Sequence, residues 1–238
     1  MKKTSLLIVV ASLLFACGQT KNEQDLIDFF IGTGTDSDNI HFRPDVYNQM
    51  HPAQNIYLQE FNNVASSDWS NKNDENTQQA HENGELIIRG KKNYYTWKNV
   101  PSINTLLDFQ MEIRAQFNFA TVTSVDAAMG IVYGVDNAKN TYHYIHLFNN
   151  TNHMMRIGYY DGKNYADAYN QQSNIAKNAH HIYTIRKAGS KMYFFVNKKL
   201  VYGTSYKSFP PNYGFLLTSN GIVSVDYVRI DYIATETP

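Results

Sequence analysis

Residues 109–160 contain four segments with the composition of β-strands: FQMEIRAQFNF at 109–119, AAMGIVYGVD at 127–136, TYHYIHLFNN at 141–150 and MMRIGYY at 154–160. Each is rich in aromatic, β-branched and aliphatic residues, and the breaks between them contain Asp, Asn and Ser, which favour turns. This spacing predicts an antiparallel meander of four consecutive strands. Such a sheet must bury one of its faces, so we also expect a second sheet packed against it.

Length and composition are consistent with one β-sandwich domain. The chain has 238 residues, of which 43% are hydrophobic and 14% aromatic, enough for a full-sized core. Its formal net charge is zero and it has no basic run, so no nucleic-acid partner is expected.

The N-terminal segment indicates export. Lys2 and Lys3 precede an apolar run at residues 6–15 that is too short to span a bilayer as a helix. The sequence LFAC at 14–17 resembles the lipobox of bacterial lipoproteins, and Cys17 is the single cysteine of the chain. The resemblance implies that residues 1–16 are a signal peptide and that acylated Cys17 is the new N-terminus. Acyl chains would anchor the protein to a membrane, and we expect the outer membrane of the bacterial cell envelope.

The rest of the chain is predicted to form a tether followed by one domain. Residues 17–54 are polar and mixed and are predicted as an irregular tether, and residues 55–238 as the sandwich. Residues 66–84 are predicted as a long polar loop that contains Trp69. Further strands are predicted at 56–61, 85–90, 164–169, 182–187, 192–197, 200–202, 213–218 and 223–233, with a strand or packed loop at 94–97.

The order of these segments resembles a known family. The segments that carry the resemblance are NGELII at 83–88, FQMEIRAQF at 109–117, GIVYG at 130–134, YHYIHL at 142–147, MRIGYY at 155–160, YFFVNKKLV at 193–201 and VDYVRI at 225–230. These segments resemble the concanavalin A-like lectin and laminin-G-like jelly rolls of bacterial surface lipoproteins, over roughly residues 55–234. The resemblance implies an all-β, two-sheet antiparallel jelly-roll sandwich. The family includes sugar-binding modules, glycan-cleaving enzymes and structural domains, so the fold does not decide the function.

No strand carries the acidic pattern of the enzymes in this family. Laminarinase-like hydrolases share a Glu-x-Asp-x-(x-)Glu strand, which is absent here. Asp108 and Glu112 would lie ~13 Å apart along one strand, too far for a glycosidase pair. We therefore predict no catalytic residue on the strands. A glycan-cleaving hydrolase with loop carboxylates, such as Asp161 and Asp167, remains an alternative.

One loop has the composition of a calcium site. Asp136, Asn137 and Asn140 supply oxygen ligands within a few residues, and the resemblance implies that such jelly rolls often carry a calcium ion. Turns favour Asp and Asn in any case, so a structural calcium and a plain turn both remain open.

The aromatic pattern predicts a binding surface. In residues 141–148 and 154–160, aliphatic positions alternate with aromatic or polar ones. If the aliphatic side chains face the core, the others form a row on the open sheet. This row is Tyr142, Tyr144, His146, Arg156 and Tyr160, with Trp97 at its rim. Rings stack on pyranose faces and the polar groups bind hydroxyls, although tyrosine is also simply favourable in strands.

These observations predict an envelope lipoprotein whose jelly roll binds a polysaccharide or oligosaccharide on its open sheet. The alternatives are the glycan-cleaving hydrolase and a non-catalytic structural module that uses the open sheet to contact another envelope protein.

Overall fold

The computed structural model describes residues 47, 50–62, 68–100, 103–150, 154–173 and 175–235. Cys17, the signal peptide and most of the predicted tether lie outside these residues. The described chain is all-β, as predicted, and belongs to the compact unit Tyr47–Pro238. Its strands are β1 (Met50–Glu60), β2 (Lys72–Asn73), β3 (Thr77–Glu82), β4 (Glu85–Gly90), β5 (Tyr94–Asn99), β6 (Phe109–Asn118), β7 (Ala128–Asp136), β8 (Thr141–Phe148), β9 (Met154–Tyr160), β10 (Tyr165–Gln172), β11 (His180–Ala188), β12 (Lys191–Val196), β13 (Lys199–Ser205), β14 (Asn212–Leu217) and β15 (Ile222–Thr235).

The strands form two antiparallel sheets. A nine-stranded sheet has the order β13-β12-β11-β6-β15-β4-β3-β2, with β1 also paired to β15. A six-stranded sheet has the order β10-β9-β8-β7-β14-β5. In the ranges described, no helix is long and apolar enough to cross a membrane.

The predicted four-stranded meander is correct for β7, β8 and β9 and wrong for β6. Strands β7 to β10 pair in succession, whereas β6 lies in the other sheet between β11 and β15. The segment between β6 and β7 therefore crosses from one sheet to the other. The sequence did not reveal this crossing because the composition of a segment shows that it is a strand but not which strand it pairs with.

The core lies between the sheets and follows the predicted alternation. Ile145 and Leu147 of β8, together with Ile157 of β9, pack with Met111 and Ile113 of β6 in one buried cluster. Full burial of each such side chain contributes about 1.5–3 kcal/mol. The opposite positions of β8 and β9 therefore face away from this core.

The predicted loop 66–84 is partly wrong because it contains β2 and β3. Strand β3 pairs with β4 through a turn in which Asn83 and Gly84 have φ of 54° and 83°. Its sequence is polar, but Thr77 and Gln79 are buried and Gln79 Nε2 donates a hydrogen bond to Thr96 Oγ1 at 3.3 Å. A buried polar strand of this kind has no apolar alternation to reveal it.

The N-terminal strand starts earlier than predicted. Strand β1 begins at Met50, which is buried and pairs with Thr235, so residues 50–54 belong to the sandwich and not to the tether. Trp69, in the segment before β2, is also buried, and its Nε1 donates a hydrogen bond to the Tyr213 hydroxyl at 3.1 Å.

The outer face of the nine-stranded sheet contains a buried guanidinium group. Arg186 is 1% exposed, and its Nε and Nη2 donate hydrogen bonds to Gln110 Oε1 at 2.9 and 2.5 Å. Nη1 donates to the Tyr47 carbonyl oxygen, and the Tyr47 ring lies 4.6 Å from the guanidinium carbon. Burial lowers the pKa of Arg186 to about 10. Gln110 is therefore a main hydrogen-bond acceptor for this buried charge.

Candidate functional site

Cross-strand pairing places all six predicted binding residues on the outer face of the six-stranded sheet. Directly paired residues point to the same side of a sheet. Three rows of paired residues therefore share this face, which we call the aromatic face. The rows are Trp97, Gly214, Val132, Tyr144, Gly158 and Asp167; Tyr95, Leu216, Gly130, His146 and Arg156; and Tyr142, Tyr160 and Tyr165.

Glycines on the aromatic face lie against the backbone of neighbouring strands. A Cβ atom added to Gly214 would collide with the Thr96 carbonyl oxygen of edge strand β5. One added to Gly158 would collide with the Ala166 carbonyl oxygen of the other edge strand, β10. The neighbouring backbones therefore occupy space that side chains would otherwise fill.

The predicted open row is partly buried. Tyr142, Tyr144 and His146 are 3%, 0% and 4% exposed, whereas Trp97, Arg156 and Tyr160 are half-buried. Closely packed aromatic rings cover one another, an effect that strand alternation does not show. The first three residues therefore form the floor of the face.

Tyr165 of β10 covers much of this floor. Its ring centroid lies 4.8 Å from that of Tyr160 and 5.5 Å from that of Tyr144, and its hydroxyl is 3.1 Å from the Tyr142 hydroxyl. It also stands edge-on to His146, at 5.8 Å. Tyr165 is itself 55% exposed, so a ligand would meet this ring first.

A polar cluster lies beside these rings. The Tyr144 hydroxyl donates a hydrogen bond to Asp167 Oδ1 at 2.6 Å, and Arg156 Nε lies 3.5 Å from Asp167 Oδ2. The Arg156 guanidinium carbon is 4.5 Å from the centroid of the Phe148 ring. The cluster thus combines one cation and one anion at the edge of an aromatic surface, where they can exchange hydrogen bonds with hydroxyl groups.

His146 carries an unsatisfied polar atom in this cluster. Its ring stacks on Tyr144 with centroids 4.1 Å apart, and its Nε2 is buried with no hydrogen-bond partner. Burial, and secondly the charge of Arg156, lower the pKa of His146 to about 3. The imidazole is therefore neutral near pH 7 and has one ring nitrogen that can donate and one that can accept.

Comparison with solved structures finds the same two-sheet arrangement. A laminarinase from Flavobacterium sp. UMI-01 aligns with a TM-score of 0.50 and 15% identity, over 74% of this chain and 98% of that one. The fold is a concanavalin A-like jelly roll.

Carbohydrate-binding modules are also similar to this jelly roll. The CBM2 module of the evolved Dit of Lactobacillus casei BL23 phage J-1 aligns with a TM-score of 0.49 and 10% identity, over 79% of this chain and 99% of that one. The carbohydrate-binding module CBM66 from Bacillus subtilis has a TM-score of 0.41 and 10% identity, over 75% of this chain and 94% of that one. No family model and no curated protein matches the sequence.

The six-stranded sheet of the jelly roll contains two acidic residues, and they lie far apart. Asp136 is on β7 and Asp167 on β10, three strands or ~14 Å away, whereas glycosidase pairs need about 5–9.5 Å. Asp167 lies in a strand, not in the loop that the hydrolase alternative assumed. Asp161 is in the β9–β10 turn, where its Oδ1 accepts hydrogen bonds from the backbone N–H groups of Asn164 and Lys163, which lower its pKa. Asp136 and Asp167 are therefore too far apart to form a glycosidase pair.

The predicted calcium ligands lie in the β7–β8 turn. The Asp136 carboxylate pairs with the Lys139 ammonium group at 2.9 Å, and Asn140 Oδ1 accepts a hydrogen bond from the Tyr95 hydroxyl at 3.2 Å. Among the described residues, no group of three or more His, Cys, Asp or Glu side chains is arranged to hold a metal ion. Calcium binding by Asp136, Asn137 and Asn140 stays a prediction.

Sequence reasoning missed the role of Tyr165. The predicted strand at 164–169 contained it, and its alternation with Asp167 was the signal that could have placed both on the aromatic face. Its position over the floor depends on pairing with Tyr160, which the sequence alone does not specify.

Proposed function

We propose that this chain binds glycan through the aromatic face of its jelly roll. The observation that carries the proposal is the pair of partly exposed rings, Tyr160 and Tyr165, beside the Arg156–Asp167 ion pair, with Trp97 on the far edge strand of the same face. Flat rings stack on the apolar faces of pyranoses, and the charged pair can bind their hydroxyls.

A glycan array with the full-length protein tests this proposal. We expect Trp97→Ala and Tyr160→Ala each to weaken binding of any bound glycan by roughly 2–10-fold, because each removes one stacking ring. Tyr227→Ala is the control, since Tyr227 lies on the other sheet and its hydroxyl bonds to Glu112. Unchanged affinity in the first two variants would contradict the assignment of the face.

The same protein separates binding from the two alternatives. Release of shorter oligosaccharides from a bound glycan would indicate a hydrolase, and its loss in Asp167→Asn would implicate that carboxylate. Absence of binding to every glycan on the array would favour a protein-contact or structural module.

We also propose that the chain is a lipoprotein of the bacterial outer membrane. The lipobox-like sequence that ends at Cys17 supports this proposal. Expression of the full chain with labelled palmitate should give a labelled protein in the outer-membrane fraction. Cys17→Ser should remove both the label and the membrane association, and a labelled Cys17→Ser variant would contradict the proposal.

A further inference from the structure

The polar groups of the aromatic face differ in how many of their hydrogen-bond donors have no acceptor. Arg156 carries five N–H donors in a fixed fork, and its side chain is 38% exposed. Among the residues that the structure describes, none accepts a hydrogen bond from either of its terminal nitrogens. The fork is therefore available to a ligand.

The carboxylate beside Arg156 is already engaged. Asp167 accepts a short hydrogen bond from the Tyr144 hydroxyl at 2.6 Å, while its distance to Arg156 Nε is 3.5 Å. The second distance exceeds that of a charge-assisted hydrogen bond, which is normally about 2.7–2.9 Å. Asp167 thus balances the charge of Arg156 without satisfying its donors.

His146 places a second polar group without a hydrogen-bond partner next to Arg156. The two residues are direct cross-strand partners, and His146 Nε2 is buried without a partner. A buried polar atom in this state is costly, and a ligand oxygen can remove the cost in the tautomer that carries its proton on Nε2. The half-exposed Tyr165 ring stands edge-on to this imidazole, so rotation of that side chain would give a ligand access to it.

These donors fit an oxyanion better than a hydroxyl group. A hydroxyl brings a proton that must itself be accepted, whereas a carboxylate or sulfate group only accepts hydrogen bonds and matches the planar fork of arginine. We propose that the glycan bound by the aromatic face is acidic, and that its carboxylate or sulfate group is bound by Arg156 together with His146. This inference rests on the proposed function and names the class of its ligand.

Matched pairs of glycans test the inference with the full-length protein. One pair is oligogalacturonate and its carboxyl-reduced form; the other is dextran sulfate and dextran. An array of uronate and sulfated oligosaccharides, each beside its neutralised form, extends the same comparison. We expect the acidic member of a pair to bind at least tenfold more tightly, because a hydrogen-bonded charge pair is lost in the neutral member. The pair that responds distinguishes a carboxylate ligand from a sulfate ligand.

Variants of Arg156 show whether this residue binds the negatively charged group of the glycan. Arg156→Gln should weaken binding of the acidic glycan by about tenfold or more, and Arg156→Lys should lose part of that affinity because it keeps the charge but not the fork. Added salt should weaken binding by wild type and have little effect on Arg156→Gln. Arg114→Gln is the matched control, since Arg114 lies on a strand of the other sheet and pairs with Asp226. Thermal denaturation checks that each variant folds.

The outcomes separate this inference from the proposed function. Equal binding of the acidic and neutral glycans of a pair would overturn the proposal that the ligand is acidic, and so would full affinity for the acidic glycan in folded Arg156→Gln. Either result would leave the proposal of glycan binding intact. No binding to any glycan would overturn the proposed function itself.

Discussion

The hydroxyl of Tyr144 donates a hydrogen bond of 2.6 Å to Asp167 across Gly158, the residue that separates them in the sheet. Tyr144 is fully buried, whereas the Asp167 side chain is 24% exposed. Burial raises the pKa of the Tyr144 phenol, and the hydrogen bond and charge of Asp167 raise it further. The bond therefore joins the rigid floor of the aromatic face to its one carboxylate on β10.

Tyr144→Phe should lower the free energy of unfolding by about 1 kcal/mol, since it removes a hydrogen bond to a partly solvated charge. It should also weaken binding of an acidic glycan, because the released Asp167 can then pair more closely with Arg156. Urea denaturation and calorimetric titration measure the two effects. Tyr142→Phe removes a bond between two neutral hydroxyls and should cost less; equal costs would contradict a special role for the charged partner.

Gly158→Ala should destabilise the protein by about 1–3 kcal/mol, the usual cost of overpacking. The new Cβ would meet the Ala166 carbonyl oxygen and the Tyr144 hydroxyl. Gly203→Ala, in strand β13, is the control because its Cβ would find no atom closer than 3.4 Å. Urea denaturation of both variants should separate them clearly, and similar stabilities would show that the β10 backbone does not lie against Gly158.

His146→Phe should make stability less dependent on pH. Burial keeps the pKa of His146 near 3 and that of His143 near 4, both below the ordinary value of 6.5. Between those values the unfolded chain binds protons that the folded chain does not, so the free energy of unfolding falls as pH decreases from 6.5. Each histidine contributes up to about 1.4 kcal/mol per pH unit.

Removal of His146 should reduce this dependence between pH 6 and pH 4.5 by up to about 1.4 kcal/mol per pH unit, as measured by urea denaturation at fixed pH. The phenyl ring also replaces a buried polar atom that has no partner, so the variant should be at least as stable as wild type at pH 7. An unchanged slope would show that His146 is not buried in the neutral state.

Gln110→Leu should destabilise the protein by about 2–4 kcal/mol, because it removes the oxygen that accepts hydrogen bonds from both Nε and Nη2 of the buried guanidinium of Arg186. The double variant Gln110→Leu with Arg186→Met should recover most of this loss, since it removes the buried charge as well. Arg114→Gln breaks an exposed ion pair in the same sheet and should cost less than about 1 kcal/mol. Failure of the double variant to recover stability would indicate that shape, and not charge, makes Gln110 important.

Local patterns predicted most strands of this protein. The alternation in residues 141–148 correctly placed Ile145 and Leu147 in the core, because strand geometry sends successive side chains to opposite faces. The same alternation placed Tyr142, Tyr144 and His146 together on the other face. Patterns failed where apolar alternation was absent, as in the buried polar strand β3.

The sequence by itself determined the all-β class, most strand positions and the residues that share the outer face of β8 and β9, since these follow from side-chain period and turn chemistry. Only the tertiary structure decided that β6 leaves the meander, that Tyr165 covers the floor, and that Asp167 bonds to Tyr144 and not tightly to Arg156. These features depend on strand order and register, which arise from contacts between residues distant in the chain. Part of the composition of the aromatic face could therefore be predicted from the sequence, but its cover by Tyr165 and its unmatched donors could not.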